Sequence, residues 1–201
     1  MTGRRQTDRR RSFGADERGA ATLEFVIVFG PLIILFFFII EMAFAYHWAI
    51  AAQKGVENGV RVAVVQAPVH SDLLDPGGGP ARVRRVETAV LGDEGGSCAA
   101  GNCVTIADET CQGGTLAVAE CSTTDFQKIF QAVSRLAYGI APEDVSITYR
   151  DVNLGYAGEP YVPLVTVRIE PRAFALDLNL FGGETTLPGY EASLVAEDLS
   201  N

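Results

Sequence analysis

The longest uninterrupted apolar stretch is 25–40, FVIVFGPLIILFFFII, sixteen uncharged positions, and after Glu41 it resumes through Met42, Ala43, Phe44, Ala45, Tyr46, Trp48, Ala49 and Ile50. A bilayer core needs about 20 helical residues, and Phe25 to Tyr46 supplies 22 with one acid near the far end, so a membrane-spanning helix is predicted here. Beyond it Val56, Val60, Ala63, Val64 and Ala67 recur at helical spacing while Gln53, Lys54, Glu57, Asn58 and Arg61 face elsewhere, which carries the helix to about Gln66. From Ala20 such a helix measures about 70 Å at about 1.5 Å per residue. Gly55 and Gly59 form a small-xxx-small pair that lets another helix approach or merely tolerates local packing, and the alternation of Val60, Val62 and Val64 leaves a strand open as the alternative.

The strongest later helix pattern runs from Asp125 to about Tyr138, with Phe126, Ile129, Phe130, Val133, Leu136 and Ala137 on one face. Thr124 with Gln127 reads as a capping box, and Gly139 closes the C-terminus. A shorter helix is expected after Pro80, with Val83, Val86, Ala89 and Val90 as its stripe and Gly92 as its stop. Three segments alternate as strands: Val145, Ile147 and Tyr149; Val165, Val167 and Ile169; and Tyr190, Ala192, Leu194 and Ala196. Glycines 155, 158, 182, 183 and 189 punctuate the connections, which suits an antiparallel sheet. Two short strands are also expected around Val104–Ala107 and Leu116–Ala119.

The fold class is therefore α+β: a long N-terminal transmembrane helix with an amphipathic extension, then a domain holding an amphipathic helix and a small antiparallel sheet. The expected division is a basic leader over 1–19, the helix and its extension over 20–66, and an extracytoplasmic domain over 67–201 with a cysteine-containing loop region at 98–121. Ser71–Pro80, containing DPGGGP, is read as a linker; it lacks the Gly-Lys-Ser/Thr of a phosphate loop.

Charge sets the orientation. Residues 1–19 hold six arginines against Asp8, Asp16 and Glu17, a local charge of +3 in a chain of net charge −9, which leaves residues 42–201 at −10 once Glu24 and Glu41 are set aside. Arginines before the apolar run hold the N-terminus in the cytoplasm and send the domain outside, with Tyr46 and Trp48 placed at the outer aromatic belt. An acidic domain repels phosphate backbones, so nucleic acid is excluded as a partner. Cys98, Cys103, Cys111 and Cys121 fall within 24 residues, do not repeat the paired spacing of zinc ribbons, and are candidate disulfides of an oxidising compartment; three pairings are open.

Glu24 and Glu41 sit at the two ends of the apolar run, where a charge in hydrocarbon calls for a partner or an interface. Around the first of them the chain reads DERGAATLEF, which resembles the processing site of class III, or type IVb-like, prepilins. The resemblance implies cleavage between Gly19 and Ala20 by a prepilin peptidase, with Glu24 as fifth residue of the mature chain, positioned to neutralise the new α-amine of a neighbouring subunit. The proline-broken helix at Gly30-Pro31, read as a kink, the second glutamate at Glu41 and the small-residue continuation extend the likeness to TadE-like pseudopilins of the tight-adherence pilus system, over roughly residues 18–66. Phe25 stands where major pilins of that system usually carry tyrosine, and the outer domain is far longer than a major subunit's, so the resemblance implies a minor pilin or pseudopilin that starts, caps or regulates a pilus. It implies as partners other pilins or pseudopilins, the prepilin peptidase, the inner-membrane assembly platform and the membrane.

Two other readings of the same segment stand beside this one. Uncleaved, it is a plain single-pass anchor of a periplasmic interaction module. Arg10-Arg11-Ser12-Phe13 partly matches a twin-arginine signal and Ala43-Phe44-Ala45 and Ala49-Ile50-Ala51 match signal-peptidase sites, which would make the chain an exported hydrolase; Asp16, Glu17 and the length of the run speak against export. The only histidines, His47 and His70, form no triad or metal cluster with sequence neighbours, although His70 with Asp72 and Asp75 has the chemistry to hold a cation weakly. The chain is expected to be no enzyme, with no cofactor and no metal.

Overall fold

The computed structural model describes residues 17–75, 83–89, 95–117, 120–174 and 185–196, with backbone alone for 17–21, 172–174 and 185. The leader arginines up to Arg11, the glycine run from Pro76, and Pro80, Val90, Gly92, Val118, Ala119, Gly182 and Gly183 lie outside the described residues. The chain divides into two compact units, Met1–Ala43 and Phe44–Asn201.

Helix α1 runs from Glu17 to Ala63, uninterrupted through Pro31, so Gly30-Pro31 does not break it, and it ends shortly before the expected Gln66. The strand alternative for Val60, Val62 and Val64 is not realised. In the first unit the side chains from Thr22 to Ala43 are exposed or at most half-buried; Phe25, Phe36 and Met42 are among the exposed ones. Among the described residues this is the one helix long and apolar enough to cross a membrane, with an 18-residue window of mean hydropathy 2.8 and none of it buried.

In the second unit the same helix changes character. Ala45, Trp48, Ala52, Val56, Val60 and Ala63 are buried, three or four residues apart, which is the stripe an α-helix presents to a core. They face a four-stranded antiparallel sheet of order β1-β2-β3-β6, built from β1 (Glu109–Gln112), β2 (Val145–Arg150), β3 (Leu164–Ile169) and β6 (Tyr190–Val195). Ile147 pairs with Val167 and Val167 with Ala192, so the apolar positions of the alternating strands share one face. The other face is polar and laced by hydroxyl pairs, Thr110 to Thr148 at 3.0 Å and Thr166 to Ser193 at 2.8 Å. A two-stranded ribbon, β4 (Arg172–Phe174) with β5 (Thr185–Leu187), extends the hairpin between β3 and β6.

Helix α2, Thr123–Ser134, packs against α1 and the sheet through Phe126, Ile129 and Val133, all fully buried. Its N-cap is Ser122, not Thr124: the Ser122 hydroxyl accepts from Asp125 N–H at 3.3 Å and donates to Asp125 Oδ2 at 2.7 Å. Burial alone would raise the Asp125 pKa, but hydrogen bonds from Lys128 and Ser122 and the Lys128 charge together outweigh it and hold the carboxyl below its ordinary value. Gly139, at φ 73°, turns the chain away in the left-handed region. The helix ends earlier than its apolar spacing suggests, and Leu136, expected on the buried face, is 45 % exposed.

Gly55 and Gly59 are where α2 meets α1. A Cβ on Gly55 would lie 2.9 Å from the Val133 carbonyl oxygen and 3.1 Å from Ala137 Cβ; one on Gly59 would collide with Val133 Cγ2. The small-residue pair is thus filled by a helix of the chain's own domain. Side chains of α1 and of the chain just beyond it then donate to carbonyls of α2 and the turn after it in antiparallel order: Trp48 Nε1 to Tyr138 at 3.1 Å, Asn58 to Ala132 at 2.9 Å and Gln66 to Asp125 at 3.1 Å. Trp48 is therefore a core residue, 7 % exposed, and not a member of an aromatic belt; Tyr46, 70 % exposed, keeps that option.

Two expectations fail between the helices. Residues 83–89 are extended rather than helical: Val86 N–H donates to Glu159 and Arg84 N–H to Leu73, while Val104 N–H donates to Glu87. Val83 and Val86 are buried, but through strand-like bridges, with Val83 opposite Leu74 and Arg85 opposite Pro160. Val104–Ala107 forms no strand; the strand of this region is β1, and Leu116 lies in a turn. The cysteines pair in sequence order, Cys98 with Cys103 and Cys111 with Cys121, the second bridge tying β1 to the segment that enters α2.

Gly55→Ala is expected to lower the stability of the second unit by about 1–3 kcal/mol through overpacking against a backbone carbonyl that cannot rotate away. Gly30→Ala, whose Cβ meets nothing within 4 Å, gains only helix propensity and leaves the midpoint unchanged or higher. Thermal denaturation of both variants in the same detergent checks the contrast. Peptide mapping without reduction is expected to recover the Cys98–Cys103 and Cys111–Cys121 linkages with no free thiol, and reduction to cost roughly 2–4 kcal/mol of stability per bridge.

Candidate functional site

The residues that carry the processing resemblance lie at the start of α1. Gly19 and Ala20 are helical in backbone. Glu24 is exposed, one residue before Phe25, whose ring stacks on Phe29 at 5.0 Å. Glu41, half-buried, follows 17 residues later on the same helix, about 25 Å along its axis at about 1.5 Å per residue. The two carboxylates thus bracket a length close to the roughly 30 Å of a hydrocarbon core, which places each near an interface when the helix spans a bilayer. Among the described residues Glu24 forms no ion pair, and it is available to a cation supplied from another chain.

A second cluster lies on the outer domain. The chain leaving α1 is pinned at Val69, whose N–H donates to the Tyr149 hydroxyl at 3.0 Å; burial pushes that phenol far above its usual range, so it stays neutral as an acceptor. Next in sequence is His70, 6 % exposed, paired across a strand-like bridge with Cys121. Its Nδ1 accepts from Asp72 N–H at 3.3 Å, capping a short 3₁₀ turn at Ser71–Leu73, and its Nε2 lies 3.3 Å from Glu109 Oε2 on β1. The acceptor role of Nδ1 leaves the imidazole proton on Nε2, pointing at the carboxylate.

His70, Asp72 and Glu109 bring one ligand atom each within 4.8 Å, the one such group among the described residues. Sequence reasoning named His70 and Asp72 but paired them with Asp75; Glu109 enters only because β1 crosses beside the turn. With Nδ1 meeting a backbone N–H and Nε2 meeting Glu109, the cluster acts as a clamp joining the chain after α1 to β1. Above it a cleft of ≈ 210 Å³, lined by Leu73, Arg84, Arg85, Glu87 and Ile106 among others, mixes both charge signs.

The clamp makes its own prediction. His70→Ala leaves a backbone N–H and a carboxylate without their partner and is expected to cost about 1–3 kcal/mol. His70→Asn restores part of this, because an asparagine oxygen accepts from the N–H two residues on as imidazole Nδ1 does. Urea denaturation of the two variants in detergent distinguishes a clamp, which asparagine partly rescues, from a metal site, which it does not and in which a chelator destabilises the parent chain.

No curated protein and no solved structure matches the chain. The stretch from the residue before the expected cut to the last turn of α1 does find its counterpart: residues 19–61 match the family model described as TadE-like protein, the family this helix resembles on its own residues.

Proposed function

We propose that the chain is a minor pilin or pseudopilin of a tight-adherence pilus, processed between Gly19 and Ala20, inserted beside other pilins, and acting in the start, capping or regulation of the filament rather than in catalysis. The observation that carries this reading is the coincidence of the TadE-like match, which opens on Gly19, with an exposed apolar run of α1 that Glu24 opens. The position of that carboxylate supports a charge pair with the α-amine created by cleavage on an adjacent subunit. Arginines ahead of the helix and disulfides beyond it support a cytoplasmic N-terminus and an outer domain on the oxidising side of the inner membrane. The partners in this reading are the prepilin peptidase, the assembly platform and the other pilins of the system.

Two measurements test it. The mature N-terminus is expected at Ala20; an intact Met1 in cells with active prepilin peptidase favours the uncleaved anchor, and a start after Ala45 or Ala51 favours export. Glu24→Gln keeps shape while removing charge, so expression and membrane insertion are expected to persist. Crosslinking to neighbouring pilins and piliation are expected to fall, since leaving a buried charge without its partner costs about 3–5 kcal/mol. Unchanged piliation would reduce Glu24 to an interfacial residue.

A further inference from the structure

The turn after α2 has an unusual exposure pattern. Ala137 is fully buried against Gly55 of α1, while Leu136 and Tyr138 on either side of it are 45 % and 52 % exposed. The turn is held firmly: Trp48 Nε1 donates to the Tyr138 carbonyl at 3.1 Å, Ala137 N–H donates to Val133 at 3.0 Å, and the Tyr138 ring lies 6.5 Å from His47. Arg135, the C-cap residue of α2, is exposed and forms no ion pair among the described residues.

On α1 the neighbours of Tyr138 are His47 and Trp48, and the exposed residues around them include Phe44, Tyr46 and Ile50. The second unit begins at Phe44, where the chain leaves the apolar unit. At about 1.5 Å per residue, His47 and Trp48 lie within about 6 Å of that covalent junction along the helix. Tyr138, ninety positions beyond Trp48 in the sequence, is thereby brought close to Phe44, the first residue of the second unit. Tyrosine prefers the bilayer interface, where the ring meets the acyl boundary and the hydroxyl stays wet; arginine there meets lipid phosphate. No acid occurs among Tyr46, His47, Ile50, Arg135, Leu136 and Tyr138, although the domain as a whole is strongly acidic.

We propose that the Arg135–Tyr138 turn is a lipid-contact foot: together with Tyr46 and Ile50 it rests the outer domain on the headgroup region of the bilayer that α1 spans, with Arg135 on phosphate and Leu136 and Tyr138 at the acyl boundary. This rests on the membrane anchoring in the proposed function, not on pilus assembly. The foot takes the interfacial place that Trp48 would have held by sequence position, while Trp48 supports it from within the core.

The full-length chain is reconstituted in phosphatidylethanolamine/phosphatidylglycerol vesicles whose acyl chains are brominated near the headgroup. Tryptophan is placed singly by Leu136→Trp, Tyr138→Trp or, as a distal control, Val65→Trp; Val65 is 64 % exposed beyond the end of α1, and the parent's buried Trp48 gives the baseline. Added emission from positions 136 and 138 is expected to be blue-shifted, quenched by the bromolipid and severalfold less accessible to iodide than that from position 65. Emission from both positions as iodide-accessible as at 65 overturns the foot, as does shielding that appears only when partner pilins are added and without bromolipid quenching, which would mark a protein contact. Carbonate extraction and N-terminal sequencing of the same samples show separately whether the chain is anchored and whether it is processed.

Discussion

The close approach of α2 to α1 at Gly55 and Gly59 is the constraint on which the outer domain depends. Without side chains at these two positions Val133 and Ala137 sit against the α1 backbone, and the α1 stripe reaches Val167 of the central strand β3, 3.4 Å from where a Cβ on Gly59 would stand. Interiors are packed as densely as molecular crystals, so a methyl group here displaces either the helix or the sheet. Donors on α1 and just beyond its end, from Trp48 through Asn58 to Gln66, then fix the helices' register, and Asn58 reaches Ala132 in the last turn of α2, whose carbonyls lack helical partners.

Strong periodicity was readable and weak periodicity was not. The three alternating segments are β2, β3 and β6, and the apolar face of 126–133 is α2, because burial on one side imposes a repeat of two or 3.6 residues that survives in the sequence. Val83 and Val86 share the spacing of a helix face but belong to an extended segment whose hydrogen bonds run to 158–161 and 102–104; only tertiary partners decide between the two. β1 has no alternation to betray it, and what makes it a strand is its pairing with β2 around buried Cys111.

The site residues show a similar split. The apolar span was legible because a bilayer reads local sequence, and the TadE-like match falls on residues 19–61 of that same stretch. Trp48 was misplaced for the opposite reason: a tryptophan just beyond an apolar run suits an interface or a core equally well, and the carbonyl that captures its indole belongs to a residue ninety positions away. The cysteine pairing and the partnership of His70 with Glu109 depend on the same kind of distant closure.

The buried stripe of α1 begins at Ala45, one residue after the outer unit opens. The anchor and the core therefore share one piece of chain, and a protease that severs it after Ala51 takes Ala45 and Trp48 away with the membrane fragment. Trp48 fills the core beside Tyr190, with ring centroids 5.9 Å apart, and its loss leaves a cavity of indole size and an uncapped Tyr138 carbonyl. Cleavage at that point therefore removes core residues together with the anchor, so the stability of the released part depends on the chain staying in one piece.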